Sequence, residues 1–258
     1  IDTVHNTYGL TADKAELPDF FCPVCALTKS AKQRISSARN PDNKATRPFE
    51  RIFTDIKTLP AMDRHGYTSY QIFVDEYSDF IDVFPNKAKS DVSKHLAELD
   101  IRHGLSQLPY KVTIISDGDG VFRDSYTKLC HSLSLEHDHT PPYTPQCNKA
   151  ERAILVVDSI ARTSLVDAAN LDFNDFFFEA TDAASHVHNR TVGTRGKTPY
   201  EIVKGQQPCI SHLIPFGCAG YLHAAKTSGR RDALPPGHRS EPVTMIGYRG
   251  AFSHQWKV

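Results

Sequence analysis

The chain has 258 residues, with 30 Lys plus Arg against 30 Asp plus Glu, so its formal net charge is zero. That length suits one sizeable domain with attachments, or two modest ones, and it buries a core without covalent staples. A composition 40% apolar and 23% charged excludes a disordered chain, and no apolar run approaches the ~20 residues of a membrane-spanning helix.

Ile1 opens the sequence with no Met and no basic-then-apolar leader, so no signal peptide is expected. Among six cysteines only Cys22 and Cys25 are close together, which favours a reducing compartment. Residues 28–47 are polar, basic and poor in large apolar side chains, and read as a linker. Residues 50–58 alternate apolar and polar, as a half-buried strand does. Residues 68–75 and 79–84 are two further strands of a meander. Ser90 is placed to cap a helix over 90–103, with Val92, Leu96 and Leu99 on one face. The β-branched run 111–116 predicts a buried strand, followed by a turn at Asp117–Gly120. Residues 122–133 read as a helix, 134–139 as a short strand, and the proline-rich stretch 140–148 as a loop. Ala150, Ile154, Val157, Ala161 and Leu165 recur at three and four within a helix over 149–170. A further helix covers 173–190, capped by Asp172 or Asn174. Beyond Pro199, residues 216–224 and 242–249 suggest short strands of a small β module. Adjacent early strands followed by strand–helix alternation predict an α/β fold, a mixed sheet flanked by helices.

The zero net charge hides a pattern. Residues 1–21 carry −3, 22–51 carry +5, 52–184 carry −9 and 185–258 carry +7. Basic flanks can hold a polyanion while an acidic centre holds cations, although a charged surface alone also accounts for such a partition. Within the centre, Asp55 lies in the first strand, Asp117 follows the buried strand, and Glu151 stands in the first turn of the long helix. Each alone has a plain structural role, as strand-end hydrogen bonder, turn former or helix-dipole complement. Together they supply oxygen ligands suited to two Mg²⁺ or Mn²⁺ ions, a site able to drive phosphodiester displacement.

Six stretches in order resemble the integrase of Ty1/copia-type LTR retrotransposons, a segment of the Pol polyprotein. They are FCPVCALTKSAKQR, RPFERIFTDIKTLP, SYQIFVDEYSDFIDVFP, TIISDGDGVF, TPPYTPQCNKAER and KTPYEIVKGQQPCISHLIPFGCAGYLH. The resemblance implies an RNase H-like five-stranded catalytic core over 48–190 with Asp55, Asp117 and Glu151 as catalytic metal ligands. It implies a zinc-binding N-terminal remnant and linker over 1–47, and a connector with a partial SH3-like β module over 191–258. It further implies DNA 3′-end processing and strand transfer in the nucleus, on double-stranded element ends and target, by a homo-multimer. Cys22 and Cys25 would be a zinc half-site whose His pair falls before Ile1, as in a fragment of a longer polyprotein made in the cytoplasm. Lys29, Lys32, Arg34, Lys149 and Arg152 are the expected DNA contacts.

The sequence also departs from the family. Thirty-three residues separate Asp117 from Glu151, which is short for it, and Gln146-Cys147-Asn148-Lys149-Ala150 replaces its flexible Gly-containing loop. A second reading is therefore a relic that keeps the fold and DNA binding without catalysis. A third, an unrelated RNase H-like nuclease, would degrade RNA–DNA hybrids instead of joining DNA ends.

Overall fold

The computed structural model describes residues 44–118, 120–140, 148–168, 170–224, 234, 238–250 and 255–258. Three strands lead: β1 (Arg51–Thr58), β2 (Ser69–Asp75) and β3 (Ile81–Asn86). Helix α1 (Asp91–His103) follows, then β4 (Thr113–Ser116), α2 (Ser125–Ser132) and β5 (Glu136–His139). The strands form one sheet in the order β3-β2-β1-β4-β5. β1 pairs antiparallel with β2, and β2 with β3, whereas β1–β4 and β4–β5 are parallel. The mixed five-stranded sheet expected from the sequence is present.

Alternation along the strands divides the core between the two sheet faces. Ile52, Phe73, Phe84 and Ile114 pack with Val92, Leu96 and Leu99 of α1 and Tyr126 and Cys130 of α2. Phe53, Ile72, Val74, Val83 and Ile115 face the other way. They pack on α3 (Lys149–Asp167) and α4 (Phe177–His188), through Ile154, Val157, Ala161, Phe177 and Ala180. Both faces are covered, so Ile114 and Ile115 of β4 are apolar on both sides of the sheet. Truncating fully enclosed Phe53 to Ala would cost about 3–5 kcal/mol.

Polar anchors fix how these layers sit. Glu179 of α4 accepts from Arg64 at 3.1 Å and lies 3.0 Å from His65, tying the β1–β2 hairpin to the helix. Asn189 accepts from the Ile81 amide and donates to its carbonyl, both at 2.8 Å, closing part of the outer edge of β3. Such capping blunts an edge strand against stray pairing.

Element ends depart from the sequence reading in three places. Ser90 makes no side-chain cap on α1. Asp91 Oδ2 instead accepts the amides of Lys87 and Ala88 at 3.0 and 2.9 Å. Asp172 holds a turn, accepting from Asn174 and Asp175, and α4 begins only at Phe177. An additional short helix, α5 (Pro199–Lys204), is capped by Thr198, with Pro199 in its first turn. Thr-Pro before an acidic third residue is itself a helix-start signal.

The C-terminal strands form two small antiparallel sheets among the described residues. One pairs β6 (Ala219–His223) with β7 (Ser240–Thr244). The other pairs β8 (Gly247–Tyr248) with β9 (Trp256–Lys257). The strand expected over 242–249 is thus broken between Thr244 and Gly247. Met245 and Tyr248 pack on Ala183 of α4, joining this region to the main sheet's helical layer.

Candidate metal and nucleic-acid site

β1 and β4 run parallel with Arg51 opposite Thr113, Ile52 opposite Ile114 and Phe53 opposite Ile115. Continuing that register two residues sets Asp55 level with Asp117, on strands ~4.8 Å apart. The same alternation puts both on the face of Phe53 and Ile115, the side covered by α3. Asp117 lies just past the C-terminal end of β4 and is half-buried, as is Asp55. Open α/β sheets place their ligand sites at this edge.

Asn148 brings the start of α3 to the same point. Its side-chain oxygen accepts from the Ala150 amide at 3.0 Å, capping the helix. Its side-chain amide donates to Asp55 Oδ2 at 3.4 Å, while Asp55 Oδ1 accepts from the Ile56 amide at 2.7 Å. Both carboxylate oxygens of Asp55 are therefore oriented from within the protein. Glu151, the third residue of α3, is half-buried in its first turn. Two hard carboxylates on adjacent strands suit Mg²⁺ or Mn²⁺, which bind through one or two carboxylates and complete their shells with water and substrate oxygens. Among the described residues no group of three His, Cys, Asp or Glu side chains is gathered for a metal ion, so Glu151 does not close the set with Asp55 and Asp117. Residues 141–147, which lead to Glu151, lie outside the described residues.

Two α3 side chains differ from what the sequence suggests. The Lys149 ammonium donates to the Glu76 carbonyl at 2.6 Å and pairs with Asp79 at 2.5 Å. An ammonium so engaged clamps α3 to the β2–β3 turn and is not a free phosphate contact, whereas Arg152 is exposed. The second is Asp158, which sequence reasoning did not single out. It is buried on α3, two turns after Glu151, and accepts from the Tyr70 hydroxyl at 2.6 Å. Burial pushes Asp158 above the ordinary carboxylate range against the opposing pull of the Tyr70 bond. Burial, with the Asp158 charge adding to it, raises the Tyr70 phenol as well. One acid inside the apolar stripe AILVVDSI was the available signal for it. Asn148 had a signal too: Asn directly before a periodic apolar run marks an N-cap.

Cys22, Cys25, Lys29, Lys32 and Arg34 lie outside the described residues. Of the later basic residues, Arg190 is fully buried, donating to the His186 carbonyl at 3.1 Å over the Tyr200 ring. Exposed Arg195 lies over the Tyr77 ring and donates to its carbonyl. Cys130 is enclosed, and burial pushes its thiol up to about 12. It is a small core residue, as its place on an apolar helix face suggests.

No family model matches the chain. The retrovirus-related Pol polyprotein from transposon RE2 of Arabidopsis thaliana is 29% identical over 212 residues, covering 78% of this chain and 14% of that protein. Its counterpart from transposon RE1 is 27% identical over 231 residues, covering 86% of this chain and 15% of that one. The chain thus spans about one seventh of the length of the curated relatives it matches. Among solved structures, a chain from the simian T-cell lymphotropic virus intasome in complex with PP2A regulatory subunit B56 gamma shares the fold. Its TM-score is 0.53 at 16% identity, covering 89% of this chain and 79% of that one.

Proposed function

We propose that this chain, a homologue of the retrovirus-related Pol polyproteins of transposons, is the integrase segment of such a polyprotein. Residues 48–190 are its catalytic core. Residues 1–47 are the remnant of a zinc-binding region with a basic linker, and 191–258 a connector and partial SH3-like module. The observation that carries this reading is the parallel register of β1 and β4, which continued two residues sets Asp55 level with Asp117, with the Asn148 cap of α3 bonded to Asp55.

In this reading Asp55 and Asp117 hold Mg²⁺ or Mn²⁺, and Glu151, not gathered with them in this structure, would have to approach them to serve as the third ligand. A divalent ion bound there supplies charge stabilisation to the reacting phosphate oxygens. The protein's own contribution is positioning. Asn148 and the Ile56 amide fix the Asp55 carboxylate, and α3 presents Arg152 where a phosphate of the duplex can meet it. Water first cleaves a phosphodiester near the 3′ end of the element, freeing a 3′-hydroxyl. That hydroxyl then displaces the 3′-oxygen of a target phosphodiester, which leaves as a new 3′-end. Both are in-line transfers, so alignment and charge neutralisation dominate the rate. Cys22 and Cys25 serve as a zinc half-site completed by ligands elsewhere in the polyprotein. Two DNA ends joined together call for a homo-multimer, acting on chromosomal DNA in the nucleus.

Strand transfer on a short duplex with Mn²⁺ tests the assignment. Asp117→Asn is expected to lower the yield of joined product at least 100-fold. Equal yields from parent and variant would overturn it. A second reading, a relic retaining DNA binding alone, is favoured by the lack of a three-donor group among the described residues. Calorimetry separates the two, since a relic binds duplex DNA but takes up no Mn²⁺.

A further inference from the structure

We infer that His139 is a positioning residue for Asp117, holding the turn after β4 through the proton on its Nδ1. The inference rests on the reading of Asp117 as a metal ligand only for its catalytic consequence, and the geometry stands apart from that reading.

β4 and β5 set Ser116 opposite His139, and strand alternation puts His137 and His139 on the same side. Their rings meet edge to face, with centroids 4.6 Å apart. Between them and Asp117 lies the Ser116 hydroxyl, in a residue wholly shielded from solvent. Its one proton is donated to the Asp117 carbonyl at 3.0 Å. Ser116 Oγ can then only accept from the imidazoles.

The remaining protons follow. His137 Nε2, 2.9 Å from Ser116 Oγ, must carry a proton and donate it. Burial, reinforced by neighbouring His139, pushes His137 down to about 4, so it is neutral at neutral pH and its Nδ1 is bare. That nitrogen accepts from the Thr127 hydroxyl of α2 at 2.7 Å. His139 Nδ1 stands 3.3 Å from Ser116 Oγ and 3.3 Å from the Asp117 carbonyl. Both are acceptors, so this nitrogen also carries a proton and shares it between them. The Asp117 carbonyl is thus gathered by two side chains at a point where β4 has ended, while the Thr140 amide bonds the Ser116 carbonyl at 2.9 Å. His137 is braced by α2, whereas His139 is exposed and has no comparable bond to a helix among the described residues. One of the two groups on the Asp117 carbonyl is thus a solvent-facing imidazole.

The test uses the full chain and three variants, His139→Ala, His139→Asn and His139→Gln. The side-chain nitrogen of Asn stands where Nδ1 does, and that of Gln where Nε2 does. Hydrogen exchange of peptides covering residues 115–122, without metal, reads the turn directly. Exchange is expected to quicken about tenfold in His139→Ala and His139→Gln, with the parent rate restored in His139→Asn and the melting temperature unchanged. Mn²⁺ titration should follow the same order, with affinity down about 10–100-fold in the Ala and Gln variants, as for supporting groups behind a metal ligand. Parent-like exchange in His139→Ala, or rescue by Gln as complete as by Asn, would overturn the inference. Quickened exchange rescued by Asn, in a parent that takes up no Mn²⁺, would uphold the positioning role and overturn the metal reading of Asp117.

Discussion

Lys149 and Arg152 stand three residues apart on α3, yet only Arg152 is exposed. A basic residue beside a candidate acid looks like a phosphate contact in sequence, because sequence shows charge and not its partners. In the fold the Lys149 ammonium is closed by Asp79 and the Glu76 carbonyl, while Arg152 remains exposed. The two therefore separate experimentally. Lys149→Ala should cost about 1 kcal/mol, since the ion pair is partly screened by solvent. It should leave the salt dependence of duplex binding unchanged. Arg152→Ala should leave stability within about 0.5 kcal/mol and reduce the slope of log K against log salt by about 0.9, the share of one phosphate contact. Thermal melts and filter-binding titrations at several salt concentrations check both. A smaller slope in Lys149→Ala would contradict the structural role given to it.

At the scale of elements, β5 is short, lies at the sheet edge and carries two histidines and two acids. The existence of this strand was legible from the sequence, and so were the other four strands and the long helices. Periodicity reports which face is apolar, and that is settled locally. The ends were less legible. Asp91 displaced Ser90 as the group serving the amides before α1, and Asp172 closed a turn instead of starting a helix. Both outcomes turn on which of two neighbouring polar side chains reaches an amide first. The tautomers of β5 lay beyond sequence altogether, since they depend on Ser116 and Thr127 from two other elements. They carry a pH signature. Unfolded His titrates near 6.5, whereas folded His137 is held down at about 4. Between those values the unfolded chain takes up a proton that the native state refuses. His137 thus contributes nothing to pH dependence above about 6.5, and stability falls as pH drops from there toward about 4. Urea unfolding at steps across this range should give a flatter curve for His137→Gln. Identical slopes in variant and parent would contradict the neutral, half-buried state of this imidazole.

For the molecule as a whole, the C-terminal strands are seated on the helical layer by a very close approach. Gly217 has φ +78° and its amide bonds the Met245 carbonyl at 2.8 Å. A Cβ there would stand 2.2 Å from Cβ of Ala168, at the C-cap of α3. The sequence FGCAGY announces a turn, but not that the glycine is needed for Ala168, 49 positions earlier. Gly217→Ala should therefore destabilise by more than the ~1 kcal/mol of its left-handed backbone alone. Its readout is built in, because Trp256 is the one tryptophan of the chain and its indole donates to the His212 carbonyl at 2.7 Å. A red-shifted Trp256 emission below the main unfolding transition would mark the opened joint. An unshifted spectrum with a parent-like melt would show that the contact yields without cost.

The segmental charge pattern also takes on meaning at this scale. The acidic block 52–184 contains Asp55, Asp117 and Glu151, and all but Arg51 of the two strands whose parallel register, continued, sets the two aspartates level. Those three acids were legible as candidates in the sequence. The convergence of Asp55 and Asp117 was not, because it depends on a parallel pairing between strands separated by two strands and a helix, and Glu151 is not gathered with them among the described residues. The most direct test of that convergence is Mn²⁺ binding, followed by calorimetry, in the parent chain and in Asp55→Asn and Asp117→Asn. The predicted result is one measurable binding event in the parent, weakened at least tenfold by either substitution. Binding of equal strength in all three proteins, or none in the parent, would contradict it.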